Sequence, residues 1–161
     1  MSMPDAITIL KAQAKEAPEI TPLVGALLTE IMQMSGIAAF TFDPQETTAR
    51  LAGFLKSGKY HVFLARSSQR ECIGILTLYE SYALYAEGAF GTIAELYVQP
   101  HFRGQAVGQR LLVQAEVFGR TRGWRRLEVT TPPLPAFQKT LAFYEREGFA
   151  ISGGRKLKRT L

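Results

Sequence analysis

Residues 93–112 read IAELYVQPHFRGQAVGQRLL, and a change of period inside this stretch decides the fold. Before Pro100 the run is rich in β-branched and aromatic residues, the composition of a strand. After it Val107, Leu111, Ala115 and Phe118 recur on one face, the spacing of an amphipathic helix, and Gly123 ends the run. Residues 125–131 then read as a second strand. A strand, a helix and a strand in this order make a right-handed crossover, so the two strands are parallel.

The flanks extend the pattern. Residues 6–12 alternate enough for a short strand, and Thr21-Pro22 offers a helix cap with proline at the first helical position. Leu23, Leu27, Ile31 and Met34 keep helical spacing until Gly36. Asp43-Pro44-Gln45-Glu46 then repeats the start signal with a capping-box glutamate, for a second helix that runs to about Gly58. Residues 60–65, 72–79 and 90–98 form three successive antiparallel strands, divided by SSQRE and by the Glu87-Gly88 turn. Tyr79, Tyr82, Tyr85 and Phe90 either line an acceptor pocket or cover this hairpin, and coverage is the favoured reading. Downstream, Pro132-Pro133-Leu134-Pro135 is a rigid turn, Phe137, Leu141 and Tyr144 mark a fourth helix closed by Gly148, and residues 149–161 supply a last strand or pair. The fold class expected is α/β (α+β mixed): a mixed, mostly antiparallel sheet of six or seven strands flanked by about four helices, in a single domain over 1–161.

Bulk properties narrow the chemistry. The single cysteine, Cys72, allows no internal disulfide and no Cys-rich metal site, which fits a reducing compartment, and a cytoplasmic location is expected. No apolar stretch approaches the roughly 18 residues that span a bilayer, so no membrane partner is expected. His61 and His101 have no ligand spacing around them, and no metal is expected. The formal charge of +5 favours a polyanionic ligand without saying which. Nucleic acid is not favoured, because no basic stripe is interleaved with aromatics.

The loop RGQAVG at 103–108 opens the third helix. The first turn of a helix has N–H groups without intrahelical partners, and the peptide dipoles add positive potential there, so a phosphate can settle on it. Gly104 and Gly108 remove side chains where an anion would approach, and Arg103 carries a donor fork suited to phosphate oxygens. The competing reading is an ordinary loop entering a helix.

Together with a second pattern, LAFYEREGF at 141–149, residues 93–112 resemble the acetyl-CoA-binding core of the GNAT superfamily of N-acetyltransferases. The resemblance implies the order of elements from end to end, although only residues 93–149 carry specific motifs. It implies a splay between the fourth and fifth strands that admits the pantetheine arm of coenzyme A as a pseudo-strand. Leu96, Tyr97 and Val98 would lie along that arm, with hydrogen bonds from the main chain of Leu96 and Val98. The amides of Gly104, Gln105, Ala106, Val107, Gly108 and Gln109, beside Arg103, would hold the pyrophosphate. Two residues depart from the family pattern. Ala106 replaces a usual glycine and is tolerated if φ is negative there. Phe137 replaces a usual asparagine and would offer the cofactor apolar packing instead of an amide.

The implied activity is acetyl-CoA-dependent N-acetylation of a primary amine, on a small molecule or peptide, by direct transfer in a ternary complex. An amine with a lysine-like pKa needs about 4–5 kcal/mol to lose its proton at pH 7, so a base helps. Glu95 is the first candidate, on a strand leading to the splay; the alternative is a solvated or salt-bridged glutamate, and Glu30, Glu80 and Glu87 are weaker candidates. Tyr144 stands where the family keeps the acid that protonates the departing thiolate, its alternative being plain core packing. A homodimer follows from family habit. The competing functions are a non-catalytic acyl-CoA-binding module of the same fold and a nucleic-acid-binding protein that uses the basic C-terminal tail.

Overall fold

The computed structural model describes residues 6–161 and builds one five-stranded sheet in that range, in the order β1-β2-β3-β4-β5. Its strands are β1 (Thr8–Lys11), β2 (His61–Arg66), β3 (Cys72–Ala83), β4 (Gly88–Val98) and β5 (Leu127–Val129). β1 to β4 pair antiparallel, and β5 joins β4 in parallel after the crossover through α3 (Val107–Thr121). The other helices are α1 (Ala17–Ser35), α2 (Pro44–Ser57) and α4 (Gln138–Arg146). By its internal contacts the chain forms two compact units, one up to Thr130 that carries the sheet and another from Thr131 on that carries α4. Among the described residues no helix is long and apolar enough to cross a membrane.

Local chemistry explains the helix ends. Asp43 caps α2 by accepting from the Glu46 N–H at 2.8 Å, Pro44 follows, and Gly58 closes the helix at φ +73°. The start of α1 is a correction. Thr21-Pro22 does not cap it; the helix begins one turn earlier, after a 3-10 turn in which the Gln13 N–H donates to the Glu16 carboxylate at 2.9 Å. Pro18 takes the first-turn position where a missing N–H costs nothing, so Pro22 falls inside the helix and Thr21 donates back to the Ala17 carbonyl at 3.0 Å.

The sheet is covered on both faces. On one, Ile20, Leu23 and Val24 of α1 and Leu51 of α2 pack with Val62, Leu64, Ile75 and Tyr97. The other carries α3, whose Val107 and Leu111 close on Gly74: a Cβ there would lie 3.3 and 3.4 Å from them. Leu111 is fully buried, which stabilises the packing of α3 by about 1.5–3 kcal/mol.

Two further expectations are corrected. The described sheet has five strands, not six or seven, because residues 149–161 form no strand. Gly153 and Gly154 both turn at positive φ, near +80°, and residues 151–161 are exposed throughout. Nor do all four hairpin aromatics act as a cover. β3 and β4 stay paired out to Ala83 and Gly88, which carries Tyr82 and Tyr85 into solvent at 74% and 77% exposure, while Phe90 is buried and Tyr79 stacks on Tyr60.

Candidate active site

The pairing of β4 with β5 covers only Gly91–Ile93 against Leu127–Val129. Beyond Ile93, among the described residues, no strand lies beside the edge of β4 away from β3. Main-chain groups alternate along an antiparallel strand, and the Gln99 N–H donates to the Ile73 carbonyl at 2.9 Å. Counting back by twos, Tyr97 and Glu95 turn their main chain toward β3, whereas Leu96 and Val98 turn theirs to the open edge.

A bulge decides where Glu95 points. The register with β3 slips between Thr77 and Leu78, so Thr77 faces Glu95, Leu78 faces Ile93, and Ala94 is the extra residue. Gly91 lies under Trp124 on the α3 face, where a Cβ would come within 2.5 Å of the indole, and Ile93 follows it by alternation. The extra residue reverses the parity. Tyr97 joins the α1 and α2 core, and Glu95, two residues before it, lies on that same face.

Glu95 is held there by polar neighbours. The Thr77 hydroxyl donates to its carboxylate and accepts from its N–H at 3.0 Å, and the Tyr60 hydroxyl lies 3.4 and 3.5 Å from the two carboxylate oxygens. Burial pushes the Glu95 carboxyl above the usual range, against the opposing effect of Thr77 and Tyr60. Tyr60 is raised further still, first by burial and then by the Glu95 charge.

The loop before α3 has two residues in the left-handed region, Gly104 at φ +77° and Ala106 at φ +63°. The negative φ expected at Ala106 is not what the chain adopts. Ala106 is the helix N-cap, and its carbonyl starts the helix by taking the Arg110 N–H at 3.0 Å; it has no side chain able to accept a hydrogen bond, so among the described residues the first-turn amides keep no side-chain cap. Gln105 turns back to the His101 carbonyl at 3.3 Å, and Gln109 is exposed. Val107 is buried in the α3 packing and Gly108 is half-buried.

Arg103 points elsewhere than expected. Its Nε donates to the Val98 carbonyl at 2.8 Å, its two terminal nitrogens bind both Glu30 oxygens at 3.0 Å, and its guanidinium lies 5.3 Å from the Tyr97 ring centre. A carboxylate thus fills the fork expected to meet phosphate, and ties α1 to the end of β4. Glu80 and Glu87 are engaged on the hairpin, Glu80 by the Trp124 indole N–H at 2.6 Å and Glu87 by Arg125 at 3.0 Å.

In the second unit Tyr144 is buried, with Phe143 and Phe149 edge-on at 5.4 and 5.3 Å, and burial raises its phenol far above the ordinary value. Phe137 is buried at the N-cap of α4 and makes no side-chain cap. Outside these groups, Cys72 is a buried thiol pushed up to about 11 by burial, and His61 lies against Phe118 at 4.6 Å with its pKa lowered by burial.

Tyr60, Thr77 and Glu30 were not legible as partners. Nothing in the sequence marks the Ala94 bulge, which has neither glycine nor proline, and the three partners lie 35, 18 and 73 residues from the groups they hold.

Residues 58–151 match the acetyltransferase (GNAT) domain family. An aminoalkylphosphonate N-acetyltransferase of Salmonella typhimurium is 31% identical over 140 residues, 87% of this chain and 85% of that protein. An IAA acetyltransferase of Azospirillum brasilense is 35% identical over 71 residues, 44% of this chain, and the matched stretch spans less than half of that relative, 45%. Among solved structures, an aminoglycoside N-acetyltransferase in complex with CoA superposes with a TM-score of 0.81 over 99% of this chain and 98% of that one, at 15% identity, a likeness of fold.

Proposed function

The chain belongs to the GNAT acetyltransferase family and is an N-acetyltransferase with acetyl-CoA as acyl donor, and from that premise we propose that it acetylates the primary amine of a small molecule by direct transfer in a ternary complex. The open edge of β4 carries this reading. A strand whose outward N–H and C=O groups have no neighbour is ready to pair with an extended, amide-bearing arm. Leu96 presents both groups and Val98 its N–H, the Val98 carbonyl being taken by Arg103, and the loop and uncapped first turn of α3, over residues 104–109, present N–H groups and the positive end of the helix dipole to a pyrophosphate. Both features fit coenzyme A.

Acetyl-CoA supplies a thioester whose carbonyl carbon is open to an amine. The chain's own groups do the rest. Glu95 is the general base: its burial-raised pKa brings it closer to neutrality, where a carboxylate removes a proton from an ammonium more readily. A strand amide near Val98 is the fixed donor for negative charge that grows on the carbonyl oxygen, and a preset donor needs little reorganisation. Tyr144 is the acid for the leaving sulfur. This assignment rests on its place in the motif at 141–149; its phenol, raised by burial from a value already above neutrality, carries its proton at neutral pH. Phe137 contributes apolar packing, and Arg103 holds the end of β4 through Val98 and Glu30 rather than gripping phosphate.

The named activity of the Salmonella relative, aminoalkylphosphonate N-acetylation, supports a small amine over a protein acceptor. A thiol-release screen over aminoalkylphosphonates, aminoglycosides, polyamines, amino acids and lysine peptides tests the proposal. Turnover confined to small amines is expected; turnover with peptides alone would overturn it.

A further inference from the structure

We propose that Tyr60 is a positioning residue for the Glu95 base, its hydroxyl shared between the two carboxylate oxygens while Thr77 fixes the carboxylate from the strand side. The inference rests on the reading of Glu95 as the base.

A carboxylate pressed into the α1 and α2 face of a sheet needs donors, because burial without them costs several kcal/mol. Among the described residues, the groups that act on Glu95 are Thr77 on β3 and Tyr60 at the entry to β2, and no ionised neighbour offsets its burial. Thr77 is committed at both ends, donating to the carboxylate and accepting from the Glu95 N–H. That leaves Tyr60 to set the tilt of the carboxylate. Its distances of 3.4 and 3.5 Å bridge both oxygens at the outer limit of a hydrogen bond. There is slack for one oxygen to tighten as the other meets an ammonium.

The position of Tyr60 is built, not incidental. Gly58 turns the chain out of α2 at φ +73°, and the Lys59 and Tyr60 N–H groups both close on the Phe54 carbonyl, at 2.9 and 3.3 Å. The Tyr60 ring is then gripped by Tyr79, stacked at 5.9 Å and 9°, and by Phe54, tilted at 5.2 Å. A ring held on two sides can move only a little, so its hydroxyl is a fixed point. Burial, Glu95 and Tyr79 all hold the Tyr60 phenol well above its ordinary pKa, so it stays a donor across the working range.

Tyr60→Phe keeps the ring contacts and removes only the hydroxyl. The ionised Glu95 then loses a donor, its protonated form gains ground, and its midpoint moves up. The midpoint is read directly in the cofactor-free chain by a carbon-13 titration of the Glu95 carboxyl. In parallel, kcat/KM on the acid limb should fall by about threefold to tenfold, the worth of one such hydrogen bond, and recover at alkaline pH, where Glu95 is ionised in both proteins. Tyr79→Phe, whose hydroxyl does not touch Glu95, should leave midpoint and limb in place. An unmoved Glu95 midpoint in Tyr60→Phe, or an equal shift in Tyr79→Phe, overturns the positioning role. Glu95→Gln separates the two failures: full activity in it sinks the base itself, whereas loss of activity there with an unmoved midpoint in Tyr60→Phe sinks the role of Tyr60 alone.

Discussion

Ala106 has a side chain where the backbone asks for none. At φ +63° and ψ +18° its Cβ crowds its own carbonyl, a conformation that costs an L-residue about 1–2 kcal/mol. Replacing it by glycine removes that strain but gives the unfolded chain more freedom, which costs about 0.5–1 kcal/mol. The difference predicts that Ala106→Gly stabilises the protein by about 0.5–1 kcal/mol, or about 1–4 °C in Tm for a chain of this size. Gln105 next to it is outside the positive-φ region, so Gln105→Gly has only the entropic cost, plus the weak contact with His101, and should be destabilised by about 0.5–1 kcal/mol. Thermal and urea unfolding of the two variants beside the parent give the comparison. A loss in Ala106→Gly as large as in Gln105→Gly would refute the left-handed cap. Coenzyme A affinity should be nearly unchanged in Ala106→Gly, since the amides offered there belong to the main chain.

Other variants probe the cofactor site and the acid. Gly108→Glu sets bulk and negative charge at the first turn of α3 and should abolish coenzyme A binding in calorimetry, with the fold intact by circular dichroism; unchanged affinity would remove the pyrophosphate from this loop. Tyr144→Phe should lower kcat by tenfold or more, about 10²-fold at most, and leave cofactor affinity nearly intact. Identical kinetics in the parent and Tyr144→Phe over a pH series would end its assignment as the acid.

Much of the fold was legible because its signals are local. Asp43-Pro44 and Gly58 mark the ends of α2 by rules that act within one turn, and the switch from strand to helix around Pro100 fixed the crossover. Local signals also misled where two competed: Thr21-Pro22 and Pro18 both suit a helix start, and the earlier turn, with its Gln13 and Glu16 bond, won. The missing last strand has the same origin, since the apolar residues after Phe149 read as strand while Gly153 and Gly154 turn the chain instead. In the site, Glu95, Leu96 and Val98 could be named from the motif. What could not be read was the bulge that turns Glu95 to the α1 and α2 face, or the carboxylate of Glu30 that claims Arg103, because both depend on pairings between distant segments.

The open edge of β4 is most directly tested by hydrogen exchange at single amides, with and without coenzyme A. The Tyr97 amide, already turned to β3, should be slow in both states, while those of Leu96 and Val98 and of the first turn of α3 should exchange fast alone and slow on binding. Protection of Leu96 and Val98 before any cofactor is added, or a response to coenzyme A that bypasses them and residues 104–109, would contradict the proposed mode of binding.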